Sequence, residues 1–377
     1  METKRAYFDW NATAPFAPEA LKAFNEAADF FGNPSSVHAE GRAARALLER
    51  SRGSVAEFMG CEPDEVVFTS GGFEANNIAL NSLAANAAER SFAVAPVEHG
   101  SILGILTSLE AEGYVRHTLK VSREGLIEPD TPLPELGFAA FQAMNQETGA
   151  LQPVARFGER MAEAGVPWHC DAVQLWGRAP FSARGQTFAT ASLTGHKLGA
   201  PKGTGALFAR RGVEIRPLFK SGPQEKGRRP GTENVQGAAA LAAALDAASK
   251  RLSDYRARSA TFREHLVTGL KKLRPDAVVH GPGDPALQVP NTLSISFPGL
   301  EGALLVPALD LEGVAVSAGS ACASGATKPS PVLLAMGLPE DLARGTIRIS
   351  SGWATTEEDV ETLLAAMARV LARTKKP

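Results

Sequence analysis

The chain has 377 residues, 39 of them Lys or Arg and 41 Asp or Glu, for a formal net charge of −2. That length supports one large and one small domain around sizeable cores, and that balance gives no electrostatic footprint for nucleic acid or an acidic membrane surface. Three cysteines, Cys61, Cys170 and Cys322, lie far apart without a C-x-x-C pair, which argues against a disulfide framework and a cysteine-built zinc site and fits a reducing, cytoplasmic home.

The N-terminus runs from Met1 into Tyr7-Phe8-Asp9-Trp10 with no charged-then-apolar signal pattern. Val66-Val67-Phe68 reads as a short buried strand that ends in Thr69-Ser70-Gly71-Gly72, with a helical stretch from about Glu74 to Ala88 behind it. Further strands are predicted over Phe92 to Ala95, Phe138 to Met144, Val166 to Cys170, Ala189 to Leu193 and Gly205 to Phe208, with a helix over Arg156 to Ala164. Strands alternating with helices predict a mainly parallel sheet covered on both faces. A helical region over Val235 to Leu273 leads to a smaller unit with strands at Leu293 to Phe297, Val314 to Val316 and Thr346 to Ser350, closed by a helix from about Thr356 to Arg373. The alanine-rich stretch near Ala238 to Leu245 is the longest apolar run and is far too short to span a membrane.

Five constellations carry chemistry. Thr69 to Glu74 is a strand, a glycine turn and a helix start, where free N–H groups and the helix dipole favour an anion; many such turns bind nothing. His99, after the strand at Phe92, is placed to stack on an aromatic ring or handle a proton, or simply to cap a helix. Asp171, with Gln174 behind it, follows a strand end and suits either a protonated ring nitrogen or a helix N-cap. Thr194-Gly195-His196-Lys197 ends a strand of small residues, so Lys197 is presented to a pocket at the carboxyl edge of the sheet; taken alone it reads equally as a surface lysine. Cys322 sits in Ser317-Ala318-Gly319-Ser320-Ala321-Cys322-Ala323-Ser324-Gly325, whose small side chains offer little core to bury a thiol, and it reads as accessible and reactive. Cys61 and Cys170, beside apolar strand residues, read as buried. His169, Asp171 and His196 match no helical or hairpin ligand spacing, so no metal site is expected.

Taken in order, these segments resemble the NifS/IscS-type cysteine desulfurases of the class V, fold type I, pyridoxal-phosphate (PLP) family. The likeness runs from Tyr7-Phe8-Asp9-Trp10-Asn11-Ala12-Thr13 through Gly32-Asn33-Pro34-Ser35-Ser36-Val37-His38 to Arg348-Ile349-Ser350. It implies an α/β fold: a PLP-dependent transferase-like large domain with a mainly parallel seven-stranded sheet over residues 15–250, and a smaller α/β domain from residues 1–14 and 251–377 that carries the Cys322 loop. It implies that Lys197 holds PLP as a Schiff base and later acts as acid and base, that His99 stacks on the ring, and that Asp171 pairs with the ring nitrogen. Gln174 would contact the ring hydroxyl, and Thr194, His196 and backbone near Gly72 would hold the phosphate. Gly227-Arg228-Arg229-Pro230-Gly231-Thr232 looks like the loop that brings Thr232 to the other site of a homodimer. Asn33 and Arg348 match residues that grip the substrate carboxylate, and Cys322 matches the persulfide-forming nucleophile. The implied reaction takes L-cysteine to L-alanine and passes sulfur to an acceptor protein, such as an iron–sulfur scaffold or a thiolation protein. The resemblance includes no direct nucleic acid or membrane partner.

The sequence departs from the family at three positions. Phe73 stands where the family has a phosphate-binding Thr, Gln146 replaces an Asn near cofactor and substrate, and Trp353 replaces a common Arg. The chain also stops soon after its last helix, without the extension that many IscS-type enzymes use to dock a scaffold. A selenocysteine lyase or other PLP-dependent β-lyase is the nearest alternative. A non-catalytic sulfur-relay or scaffold protein that kept the fold is the alternative from another class, and Phe73 and Gln146 are the residues that favour it.

Overall fold

The structure, a computed structural model, describes residues 5–318 and 329–374. The chain opens with strand β1 (Ala6–Tyr7) and helices α1 (Pro18–Glu26) and α2 (Ala39–Met59). It then alternates through β2 (Val66–Thr69), α3 (Gly72–Asn86), β3 (Ser91–Val94), α4 (Gly100–Ala111), β4 (Val115–Thr118), β5 (Phe138–Gln142), α5 (Val154–Glu163) and β6 (Trp168–Asp171). Strands β7 (Thr190–Thr194) and β8 (Gly205–Ala209) follow, and then one 39-residue helix, α6 (Val235–Leu273). The remainder is β9 (Val278–His280), β10 (Thr292–Ser296), α7 (Gly302–Leu311), β11 (Val314–Ala315), α8 (Pro331–Ala335), α9 (Glu340–Arg344), β12 (Thr346–Ser350) and α10 (Glu357–Thr374). Among the described residues no helix is long and apolar enough to cross a membrane.

Seven strands form the main sheet in the order β2-β8-β7-β6-β5-β3-β4. Strand β8 runs antiparallel to both its neighbours, and every other pair is parallel. This is the mainly parallel sheet that the alternating strands and helices predict. Its central strands are buried on both faces, which is why they read as continuous rather than alternating runs. Strand β7, Thr-Ala-Ser-Leu-Thr, is built of small residues because α3 crosses β7 and β8 at close range. A Cβ on Gly205 would come within 2.6 Å of Gly71 Cα. The edge strand β4, Val-Arg-His-Thr, is largely exposed and carries no apolar pattern, so the periodicity does not announce it.

The chain leaves β3 for β4 on one side and returns as β5 on the other, so the strand order reverses at β3. In open α/β sheets ligands bind at the carboxyl ends of the strands beside such a reversal. His99 follows β3, Asp171 ends β6, and Lys197 lies just beyond β7, so the sheet delivers all three to one edge.

A second sheet, β12-β10-β9, is antiparallel, and β1 pairs with β11. Its core gathers Phe8, Phe262, Leu266, Ile295, Phe297, Ile347 and Met367. Val332, Leu333, Met336 and Ala343 turn the other way and join the core of the large sheet. The N-terminal segment stitches the two sheets together at Asn11. Its main-chain N–H donates to Ser350 Oγ at 3.0 Å and its Nδ2 to Thr292 Oγ1 at 2.8 Å and to the Gln146 carbonyl at 3.1 Å.

The loop between β8 and α6 carries Thr232 and is held from below by one buried ion pair. Arg52 of α2 clasps Glu225 through two bonds of 2.8 and 2.6 Å, and Glu225 also accepts the Phe68 N–H at 3.0 Å. Glu225 and Lys226 adopt left-handed backbone with φ of 50° and 59°, a conformation that costs free energy in non-glycine residues and persists because the ion pair fixes it. Glu225→Ala would leave the buried Arg52 guanidinium with only the more exposed Glu49, 3.0 Å from its Nε, as an ion partner, and is expected to cost up to about 3–5 kcal/mol in urea unfolding. Arg52→Met combined with Glu225→Leu is expected to recover much of that loss; a neutral Glu225→Ala result would contradict the pair's role.

Candidate active site

The first turn of α3 forms an anion cradle. Gly71 has φ of 146°, which a side-chain residue rarely adopts, and Gly72 begins the helix. A Cβ on Gly72 would lie 2.6 Å from Val173 Cγ2, so glycine keeps this wall open. The first N–H groups of a helix lack intrahelical partners and point outward with the positive end of the helix dipole. Thr194, at the end of β7, is buried against the cradle, with its Oγ1 3.3 Å from where a Gly71 Cβ would stand. Phe73 does not fill the cradle: its side chain is 72 % exposed and turned to solvent. The residues therefore fit a phosphate through backbone N–H groups and the Thr194 hydroxyl.

His196 sits under the Lys197 turn, its Nδ1 3.1 Å from Thr13 Oγ1, and its carbonyl accepts the Ala14 N–H at 2.8 Å. Burial, together with Lys197, Lys202 and Arg178, pulls its imidazole down to about 4, so it is neutral near pH 7. Lys197 is partly buried at the same turn.

Asp171 ends β6 with its carboxylate buried. It accepts Asn76 Nδ2 at 3.0 Å, the Val173 N–H at 3.1 Å and Ser192 Oγ at 3.3 Å. The Val173 bond is the capping contact expected of Asp before a turn; the other two tie the carboxylate to α3 and β7. His99 is the N-cap of α4, with Nδ1 accepting the Ser101 N–H at 3.1 Å. Burial lowers its pKa, with Asp171 opposing and Lys197 reinforcing the shift, so the three groups sense one another electrostatically.

Gln174 reveals a residue the sequence did not single out. Its Oε1 accepts from Arg178 Nη1, and its Nε2 donates to the Asn11 carbonyl at 3.1 Å. Arg178 has donors only, so it fixes which end of the Gln174 amide is which. Arg178 is fully buried, also donates to the Trp10 carbonyl at 3.0 Å, and has its pKa lowered by burial. The four-residue spacing Gln174–Arg178, within a run of turns, is the signal that would have found it.

Arg348 of β12 has a buried side chain. Its Nη2 donates to Asp9 Oδ1 at 2.7 Å and Nη1 to the Gln146 carbonyl at 3.2 Å, while its buried Nε has no partner. That leaves a planar guanidinium with donor capacity for a carboxylate. Gln146 reaches this region by its carbonyl, which also accepts Asn11 Nδ2. Glu147 beside it is buried and its pKa raised by burial, against the opposing effects of Ser330 and Arg348. Asn33 lies in an exposed turn with its Oδ1 accepting the Ser35 N–H at 2.9 Å, which leaves Nδ2 as its available donor. Thr232 is exposed on the loop that Arg229 ties to Glu74 of α3 at 2.9 Å. Trp353 packs edge-on to Trp10 with ring centroids 5.7 Å apart, and the Arg251 guanidinium lies 5.0 Å over its ring.

Cys322 lies outside the described residues. The segment containing it leaves from Ser317, whose backbone pairs with Arg348 in both directions at 3.1 and 2.7 Å, and returns at Ser330, whose Oγ bonds Glu147. Both flanks therefore rest on the Arg348 site. Of the other two thiols, burial and then Glu65, Glu62 and Asp64 push Cys61 up to about 12, and burial raises Cys170 far above its ordinary value. Neither ionises near neutral pH.

His169 is buried completely and bonds Asn76 and Thr190, while His196 faces Thr13. Burial pulls His169 down to about 4, with Asp171 opposing. A lowered imidazole pKa means that the unfolded chain binds a proton the folded chain refuses, so this contribution to stability is lost as pH falls from 6.5 to about 4. His196 and His280 are pulled down to about 4 as well, so His169→Gln, which never titrates, is expected to reduce the pH dependence of the urea midpoint across that window without abolishing it; an unchanged slope would contradict the assignment.

Residues 6–363 match the Aminotransferase class-V family model. A cysteine desulfurase of Trichormus variabilis (cysteine desulfurase 2) is 39 % identical over 373 residues, covering 97 % of this chain and 93 % of that protein. The cysteine desulfurase NifS of Azotobacter vinelandii is 36 % identical, covering 97 % of this chain and 92 % of its own length. Among solved structures, a NifS-like protein superposes with a TM-score of 0.91 at 33 % identity, covering 98 % of this chain and 100 % of that one.

Proposed function

The chain belongs to the Aminotransferase class-V family, and we propose that it acts there as a PLP-dependent cysteine desulfurase, taking L-cysteine to L-alanine and holding the sulfur as a persulfide on Cys322. The observation that carries this reading is the meeting of Asp171, His99 and Lys197 at one sheet edge beside an open anion cradle.

The α3 N–H groups, Thr194 and His196 would hold the phosphate. Asp171 would face the ring nitrogen, His99 the ring face, and the Gln174 amide, oriented by Arg178, would offer its N–H to the ring hydroxyl. Bound there, PLP supplies an electron sink for the carbanion at the substrate Cα. The Thr hydroxyl that Phe73 replaces is worth about 1.5–3 kcal/mol if uncompensated, but the outward turn of Phe73 leaves the backbone donors in place.

The residues divide the remaining work. Arg348, steadied by Asp9, binds the substrate carboxylate through its unpartnered Nε and remaining Nη hydrogens. The Lys197 amine takes the Cα proton and later returns one. The Cys322 thiolate attacks the substrate sulfur; that bond forms as the carbon–sulfur bond breaks, and the carbon takes a proton to leave as alanine. The acceptor that next takes the sulfur is a protein, an iron–sulfur scaffold or a thiolation partner.

A homodimer completes the proposal. Phe73, in the first turn of α3, and Leu218 and Phe219, on the loop whose Arg216 N–H bonds Ser82 of the same helix, are exposed apolar side chains, and a second copy would cover them while receiving Thr232. Purified protein is expected to show the visible band of the lysine-linked cofactor and to release alanine from L-cysteine under reducing conditions. Lys197→Ala should lose that band and roughly 10²–10⁴-fold of the alanine rate. Protein that carries the cofactor yet releases no alanine would overturn the desulfurase reading.

A further inference from the structure

One buried network around Asp171 has a direction that the donors and acceptors dictate. Asn76 of α3 lies between β6 and α4. Its Nδ2 donates to Asp171 Oδ2 at 3.0 Å and to Ser101 Oγ at 2.9 Å, and its Oδ1 faces His169 Nε2 at 2.9 Å. The carboxylate accepts only, so the amide nitrogen must face it, and the oxygen is left for His169, whose Nε2 therefore carries the hydrogen. Ser101 Oγ already receives the Asn76 hydrogen, so its own hydrogen is free to point to His99 Nδ1 at 2.8 Å. The Ser101 main-chain N–H, which can only donate, meets the same nitrogen at 3.1 Å. Two donors thus converge on one ring nitrogen of His99.

We propose that Asn76 and Ser101 are positioning residues that hold His99 in the neutral tautomer with its hydrogen on Nε2, so that it serves the site as a hydrogen-bond donor and not as a base. The inference rests on His99 facing the cofactor, as argued above. In this tautomer Nε2 has no lone pair to take a proton, and protonating Nδ1 would break both bonds from Ser101. Proton removal at the substrate Cα then falls to Lys197 alone, and His99 contributes an N–H aimed at an acceptor on the bound molecule. The charged groups sensed by the ring are Asp171 and Lys197, and burial favours the neutral form. The whole network is made by the protein, so it is in place before any ligand enters.

The test is a long-range proton–nitrogen NMR correlation on protein labelled with ¹⁵N-histidine, in the cofactor-loaded enzyme, with His99 assigned by loss of its signals in His99→Gln. The expected result near pH 7 is one neutral tautomer with bare Nδ1 and protonated Nε2. Ser101→Ala removes the hydroxyl donor and the Asn76 relay and leaves the main-chain N–H as the one donor to Nδ1, so it should admit a share of the Nδ1-protonated tautomer, and Ser101→Thr, which keeps the hydroxyl, should restore the single form. A wild-type ring that is doubly protonated, or protonated on Nδ1, would overturn the proposal, as would a Ser101→Ala ring unchanged from wild type. Failure of the cofactor reading registers separately, as protein without the visible band, whereas the tautomer is read whether or not that band is present.

Discussion

The buried carboxylate of Asp171 is the constraint from which the site is built. A carboxylate at the end of a central strand must find donors, and this one finds Asn76, Ser192 and the Val173 N–H. Meeting that need orients the Asn76 amide, which in turn sets the hydrogen on His169 and the hydroxyl of Ser101. The position of α3 follows from the same demand, since the helix that supplies Asn76 also supplies the glycine cradle at its start. The glycine turn, Asp171 and His99 are therefore fixed relative to one another by a single buried node.

A second set of contacts joins this node to Arg348. Asn11 connects Gln174 and Gln146 on the large sheet with Thr292 and Ser350 on the small one, and Arg348 reaches across to Asp9 and the Gln146 carbonyl. The flanks of the Cys322 segment hang from the same place, through Ser317 on Arg348 and Ser330 on Glu147. A carboxylate seated on Arg348 thus lies next to the roots of the chain segment that would receive the sulfur.

Much of this was legible in the sequence because the signals were local. Strand, glycine turn and helix announce the cradle, and the small-residue strand ending at Thr194 announces a lysine presented at the sheet edge. What stayed hidden is of two kinds. Edge strand β4 lacks an apolar face, so periodicity passes over it. Asn76, Ser101 and Arg178 look like ordinary helix or turn residues until the fold sets them beside Asp171, His99 and Gln174, because their roles depend on contacts across the sheet. Phe73 is the reverse case: in the sequence it stands where the family has a phosphate-binding Thr, and the first turn of α3 points its side chain to solvent.

The central claim is that sulfur leaves L-cysteine for one particular thiol. Of the three cysteines, Cys61 and Cys170 are held protonated by burial, which leaves Cys322. Peptide mass mapping after brief exposure of the purified protein to L-cysteine, with free thiols and persulfides trapped by alkylation, reads this directly. The account predicts one added sulfur atom on the peptide containing Cys322 and none on those containing Cys61 or Cys170. Added sulfur on either of those two peptides, or on no peptide while alanine accumulates, would contradict it.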